Sequence, residues 1–186
     1  DSQSLFAMLM PDMAFPIWGA IAAISILTLM WVDHGLSATR AQSKASGYTL
    51  FIVLSLHSLL AGMALGVEAH PVQATAILIA ILAHKGSAAF ALGLRTDSYG
   101  YWRRILAFSL MTPLGVAGGS ALILTLQNDS EALFEAVFDA VAAGTLLYVA
   151  LGEILPSELK KTENVHGLIT SALLGLGLMA VIALYA

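Results

Sequence analysis

Apolar residues run along this chain in six long blocks, at 14–32, 48–67, 72–94, 105–126, 133–155 and 168–186, separated by short polar stretches. Each block is close to the roughly 20 residues that an α-helix needs to cross a bilayer, and far longer than a barrel strand. In lipid, only helices and closed barrels satisfy every backbone polar group internally. The pattern therefore predicts an all-α, polytopic membrane helix bundle with six transmembrane helices in a single domain over 1–186, and the lipid bilayer as a partner. Composition agrees. The chain is 59% hydrophobic and 11% charged, against about 25% charged in soluble proteins. It has no cysteine, which removes disulfides and thiolate metal sites. The opening Asp1-Ser2-Gln3 is unlike a cleavable signal peptide, and no methionine begins the chain. A fragment or processed form of a longer protein is expected.

Charge adds orientation. Arg40 and Lys44 follow the first block, Arg95, Arg103 and Arg104 the third, and Lys160 and Lys161 the fifth. The opposite ends carry Asp1, Asp12, Glu68, Asp129, Glu131 and Glu135, with no lysine or arginine. Basic loops stay in the cytoplasm, so both termini of this chain are expected outside. No nucleic-acid partner is expected.

Chemistry concentrates at 48–94. The run His57-Ser58-Leu59-Leu60-Ala61-Gly62-Met63-Ala64-Leu65-Gly66 is echoed by His84-Lys85-Gly86-Ser87-Ala88-Ala89-Phe90-Ala91-Leu92-Gly93, identical at five of ten positions. Each histidine falls near the middle of an apolar block. The short turn Glu68-Ala69-His70-Pro71 makes the two helices antiparallel neighbours, which sets both imidazoles at nearly one depth, given a rise of about 1.5 Å per residue. The small residues Ala61, Gly62, Ala64 and Gly66 are expected to face Ala88, Ala89, Ala91 and Gly93. Ionisable residues at that depth mark substrate or ion pathways, and paired imidazoles suit a borderline metal cation. The competing reading is a hydrogen bond from each histidine to a neighbouring helix.

Other polar positions leave alternatives open. Lys85 either fills the place of a second cation or pairs with a carboxylate such as Asp139. Pro113 removes a backbone donor and crowds the Ser109 carbonyl; this makes either a packed kink or, with Thr112, an ion-coordinating break. Glu153 near the inner end of the fifth helix, and the Asp33-His34 pair, are either interfacial groups or contacts for a departing metal. Glu68 and His70 either gather cations or belong to a solvated loop.

These motifs resemble the ZIP family of zinc transporters, on the branch common in animals, fungi and plants. The His57 run is similar to the family's fourth helix and the His84 run to its fifth. Met111-Thr112-Pro113-Leu114-Gly115 is similar to its sixth. Ala142-Ala143-Gly144-Thr145-Leu146-Leu147-Tyr148 with Glu153-Ile154-Leu155-Pro156 is similar to its seventh. The chain thus resembles the last six of eight helices. The resemblance implies movement of Zn²⁺, or of Fe²⁺, Mn²⁺ or Cd²⁺, into the cytoplasm, with His57 and His84 as metal ligands. It implies a homodimer in the plasma membrane and an elevator-like motion, with 48–126 moving against a scaffold of 14–47 and 133–186. Three departures stand out. Ala61 occupies a position where the family usually has a carboxylate, on the same helical face as His57. Lys85 and Thr112 stand where some bacterial relatives carry acids. The expected site is therefore a single metal held by His57 and His84, with Ser58 or water completing a tetrahedron; Asp139 and Glu153 are the further candidate metal contacts along the path. The runner-up is a non-transporting metal-binding scaffold or sensor on the same fold. An intramembrane metalloprotease is not expected, because no His-Glu-x-x-His run exists to supply ligands and base, so the protein is not expected to be an enzyme.

Overall fold

Helices account for all regular structure among the described residues. The computed structural model describes residues 16–37, 42–96, 100–125 and 128–185. They form α1 (Ile17–Ser37), α2 (Gln42–Val67), α3 (Pro71–Leu94), α4 (Tyr101–Ile123), α5 (Asn128–Tyr148), a π-helical segment (Val149–Ile154), α6 (Leu155–Leu159) and α7 (Val165–Tyr185). Asp1, Asp12, Arg40 and the start of the first predicted span lie outside the described residues. Five stretches are long and apolar enough to cross a membrane: Ile17–Gly35, Gly47–Val67, Pro71–Leu94, Tyr101–Ile123 and Ala132–Leu159. The 21-residue α7 is apolar as well. The fold is the polytopic helical bundle that the hydropathy pattern predicts. Several helices outrun their apolar blocks: α2 begins at Gln42 and α4 at Tyr101, because backbone hydrogen bonding continues past the point where apolar side chains stop.

The centre of the bundle is α2, which packs most extensively on α4 and then on α5, while α1 packs on α5. Leu50, Val53 and Leu54 of α2 meet Leu92 of α3, Phe108 of α4, Tyr148 at the end of α5 and Val149 of the π-helical segment. Glycines fix the closest approach. A Cβ on Gly62 would overlap the Thr112 carbonyl oxygen, and one on Gly66 that of Val116; a Cβ on Gly115 or Gly119 would overlap the carbonyls of Leu59 and Met63. The two backbones touch directly, as small residues one turn apart permit. This corrects one expectation. Gly62 and Gly66 face the fourth helix of the chain, not the alanines of the third. Only α4 offers glycines one turn apart to match them. Gly93 instead receives the ring of Tyr101.

Pro113 lies inside α4, which runs unbroken across it. Pro156 has a larger effect. It has no N–H for the Gly152 carbonyl, and the helix widens ahead of it: Leu155 N–H bonds to Ala150 O, five residues back. Wide turns of this kind occur mostly as single insertions within α-helices, frequently at functional sites.

The ends of the bundle differ in charge. At the acidic end, Glu68 Oε1 accepts from the His70 backbone N–H at 2.6 Å and lies 3.1 Å from His70 Nδ1. Glu135 stands beside Glu68, with Asp139 nearby. At the basic end Arg95, just past α3, donates to Ser157 and, at 3.4 Å, to Glu158; Lys161 reaches the same Glu158 oxygen at 3.0 Å. These bonds tie α3 to α6.

Candidate metal centre

Two helices bring the histidines face to face. His57 of α2 and His84 of α3 stand with their Nε2 atoms 3.4 Å apart and their ring centroids 5.5 Å apart, at 55° between planes. His57 is almost wholly buried, with 5% of its surface exposed. Its other nitrogen is anchored: Nδ1 lies 2.9 Å from the Ala142 carbonyl oxygen and 3.1 Å from the Thr145 hydroxyl. A carbonyl only accepts, so Nδ1 carries the hydrogen, and the Nε2 lone pair of the neutral ring points at His84. Thr145 in turn donates to the same carbonyl at 2.7 Å, leaving its oxygen free to accept. Buried imidazoles that bind metals commonly have their second nitrogen fixed in this way.

The separation of the two Nε2 atoms has a chemical meaning. Zn–N bonds are about 2.0–2.1 Å, so two ligands at a tetrahedral angle sit roughly 3.3–3.4 Å apart. The pair already has that spacing. Ser58, 5% exposed, lines the same cleft, together with Ala61, Ile81, Lys85, Phe108 and Thr112. Ala61 itself packs against Ile81 and Ala142, so its methyl occupies the ground from which a longer acidic side chain could reach the imidazoles.

Lys85 is held by a hydroxyl and a ring rather than by a carboxylate. Its Nζ donates to the Thr112 hydroxyl at 2.6 Å and lies 4.6 Å from the centroid of the Phe108 ring. Among the described residues no carboxylate lies within ion-pair distance of it, so the Asp139 pairing does not form. Thr112 passes the chain of bonds on, donating to the Ser58 carbonyl at 3.3 Å. Lys85 Nζ is thus held in place beside the histidine pair.

The remaining predicted residues lie elsewhere. Asp139 is one turn of α5 away from Ala142, near Glu68 and Glu135 at the acidic end. Glu153 sits in the π-helical segment, where its Oε1 accepts from the Tyr148 hydroxyl at 3.4 Å, with Asp33 of α1 beside both. Neither lines the histidine cleft, and among the described residues no group of three or more His, Asp or Glu is gathered that could hold a metal. Glu153 lies about three turns of helix beyond Ala142, and Asp139 lies one turn before it, near Glu68 at the acidic end. Sequence reasoning missed Thr145 and the Ala142 carbonyl as anchors of His57, and Tyr148 and Asp33 as neighbours of Glu153. A threonine among small residues in Ala142-Ala143-Gly144-Thr145 was the available signal. Gly144 completes it, since a Cβ there would overlap the Ala22 carbonyl and Ser25 of α1.

The family model for the ZIP zinc transporter matches residues 33–183, most of the chain. The chain belongs to this family. Relatives agree. It is 37% identical over 142 residues to mouse zinc transporter ZIP2, covering 74% of this chain and 46% of that protein. It is 35% identical over 159 residues to human zinc transporter ZIP2, covering 83% and 52%. It is 34% identical over 145 residues to zebrafish (Danio rerio) zinc transporter ZIP1, covering 75% and 48%. The ZIP chain described here thus spans about half the length of the curated relatives it matches. No solved structure matches it. The ZIP match begins at Asp33 and takes in both histidines, Lys85, Thr112, Thr145 and Glu153.

Proposed function

We propose that this chain is the metal-carrying part of a zinc transporter, which binds one Zn²⁺ between His57 Nε2 and His84 Nε2 and passes it to the cytoplasm. The observation that carries the reading is the 3.4 Å separation of those two nitrogens with His57 oriented by the Ala142 carbonyl. The Ser58 hydroxyl and water complete the shell. Zinc has no ligand-field preference, so it accepts whatever labile oxygen ligands are at hand. Two neutral imidazoles with labile partners capture the ion yet let it go, as conduction requires. Fe²⁺, Mn²⁺ and Cd²⁺ are candidate alternative cargoes.

Carboxylates mark both ends of the route. Glu68, Glu135 and Asp139 gather the cation on the acidic, outer side. Glu153, with Tyr148 and Asp33, receives it on the basic, cytoplasmic side. Asp139 and Glu153 therefore act in transit, before and after the histidines. The unit 48–126 moves as an elevator against the scaffold of 14–47 and 133–186, in a homodimer of the plasma membrane with both ends of this chain outside. The experiment is zinc uptake into liposomes by the reconstituted full-length protein. His57→Ala and His84→Ala should each abolish most of the uptake; undiminished uptake in both removes the site.

A second reading, a metal-binding scaffold or sensor without flux, is favoured by Ala61, which brings no carboxylate to the cleft. Zinc binding without flux in the same liposomes would select it.

A further inference from the structure

Glu153 meets Tyr148 across a spacing that an α-helix does not favour. The Tyr148 hydroxyl donates to Glu153 Oε1 at 3.4 Å, five residues on. At about 3.6 residues per turn, five residues leave two side chains roughly 140° apart round the axis. Neighbours on one α-helical face stand three or four residues apart. After Tyr148 those places belong to Leu151 and Gly152, and neither carries a polar side chain. The backbone accounts for the exception. From Val149 to Ile154 it is π-helical, with Leu155 N–H bonded to Ala150 O. A ladder closed five residues back makes a wider turn, so the fifth residue on returns towards the face of the first.

Three residues build this arrangement. Pro156 offers the Gly152 carbonyl no N–H, and its ring crowds that same carbonyl; the wide turn lies directly ahead of it. Gly152 leaves room for the aromatic ring, since a Cβ there would come within 3.1 Å of two Tyr148 ring atoms. The ring therefore lies along the helix, past Gly152, with its hydroxyl at Glu153. Tyr148 itself is fixed: it is 4% exposed and belongs to the core that includes Leu54 and Phe108. Asp33 of α1 stands beside both the Tyr148 hydroxyl and Glu153. Two carboxylates from separate helices thus converge on one hydroxyl at the basic end of the bundle.

We infer that Pro156 is a positioning residue for release of the cation: by widening the helix it turns Glu153 onto Tyr148 and Asp33. The inference rests on the reading of Glu153 as the group that receives zinc on the cytoplasmic side. Pro156 touches no ion and acts through Glu153. On an α-helical backbone the face beside Asp33 would carry Leu151 and Gly152 instead, and the carboxylate would swing away round the helix.

Two measurements on the full-length protein test this. The chain has no cysteine, so Asp33→Cys with Glu153→Cys, with any cysteine beyond this chain replaced by serine, supplies a clean pair. A short bifunctional thiol reagent should join the pair, read as a cross-linked peptide by mass spectrometry. Adding Pro156→Ala, which restores the N–H and removes the ring, should remove most of that cross-link. The second measurement is zinc uptake into liposomes. Glu153→Gln and Pro156→Ala should each lower the maximal rate on the order of 10-fold, as loss of a metal-contacting group or of the residue that orients it does. Combined, they should cost no more than Glu153→Gln alone, because a residue that acts through another adds nothing once that one is gone. Calorimetric zinc affinity, set by the histidines, should stay at the parent's value and certifies that Pro156→Ala is folded. A cross-link that survives Pro156→Ala overturns the inference, as does its absence from the parent pair. So does an undiminished rate in Pro156→Ala, or a combined loss that multiplies the two single ones. Weakened zinc affinity in Pro156→Ala also overturns it, because Pro156 then serves the packing of the whole bundle. The reading beneath fails separately: undiminished uptake in Glu153→Gln removes Glu153 from the route and takes this inference with it.

Discussion

Thr145 and His57 share the Ala142 carbonyl: Thr145 donates to it at 2.7 Å and His57 Nδ1 at 2.9 Å, with 3.1 Å between the two side chains. The imidazole is held by α5 although it belongs to α2, so under the proposed function Thr145 would support metal binding without touching the metal. Thr145→Val keeps the shape and deletes the hydroxyl. Losing an orienting partner of a ligating histidine typically weakens metal affinity roughly 10–100-fold. Zinc uptake by the variant should show an increase of that order in the half-saturating concentration; an unchanged value would leave Thr145 a packing residue.

Acidity should inhibit transport. Zinc needs both imidazoles neutral, and a proton on either Nε2 removes a ligand, so the sign is fixed: uptake falls as external pH drops far enough to protonate them. Initial rates of zinc entry into liposomes at a series of external pH values check this. A rise on acidification would contradict a site built from two histidines.

Ala61 gives a gain-of-function test. It is 9% exposed and lines the cleft beside His57 and His84. Ala61→Glu would add a charged oxygen ligand, worth on the order of 10-fold or more in affinity, with slower turnover because a tighter site releases less readily. Calorimetric zinc titration and uptake rates, measured side by side, should move in opposite directions.

Lys85 should limit the site to one ion. Its ammonium stands between Thr112 and the Phe108 ring beside the histidines, and a second dication there would meet like charge in a medium of low dielectric. Lys85→Glu inverts this, and calorimetry should then count two zinc ions per chain where the parent binds one. A stoichiometry of one in both would assign Lys85 to packing.

The α2–α4 contact should be the part of the fold most sensitive to volume. Gly62→Ala and Gly115→Ala each drive a Cβ into a neighbouring carbonyl, with an expected loss of about 1–3 kcal/mol. Gly118→Ala meets nothing within 4 Å and should be neutral or slightly stabilising, since alanine favours a helix by up to about 1 kcal/mol. Thermal unfolding of the three detergent-solubilised variants should separate them in that order.

The apolar blocks alone were enough to determine the helices, because in lipid a chain must satisfy its own backbone, and about 20 apolar residues leave it no other way to do so. The central depth of His57 and His84 was likewise legible, since depth is a count of residues along a helix. The duplicated motif and the four-helix order sufficed for the family. Which faces meet was not legible. Gly62 and Gly66 could have served alanines on α3 or glycines on α4, and only the matched spacing of Gly115 and Gly119 decided between them. Lys85 could have reached a carboxylate, and the position of Thr112 decided otherwise. The anchoring of His57 by Ala142, and the widening of the helix ahead of Pro156, also came only from three dimensions. One-dimensional pattern sets where each residue lies along its helix axis; rotation about that axis and the choice of neighbour come from the mutual packing of several helices, and the geometry of the histidine pair depends on both.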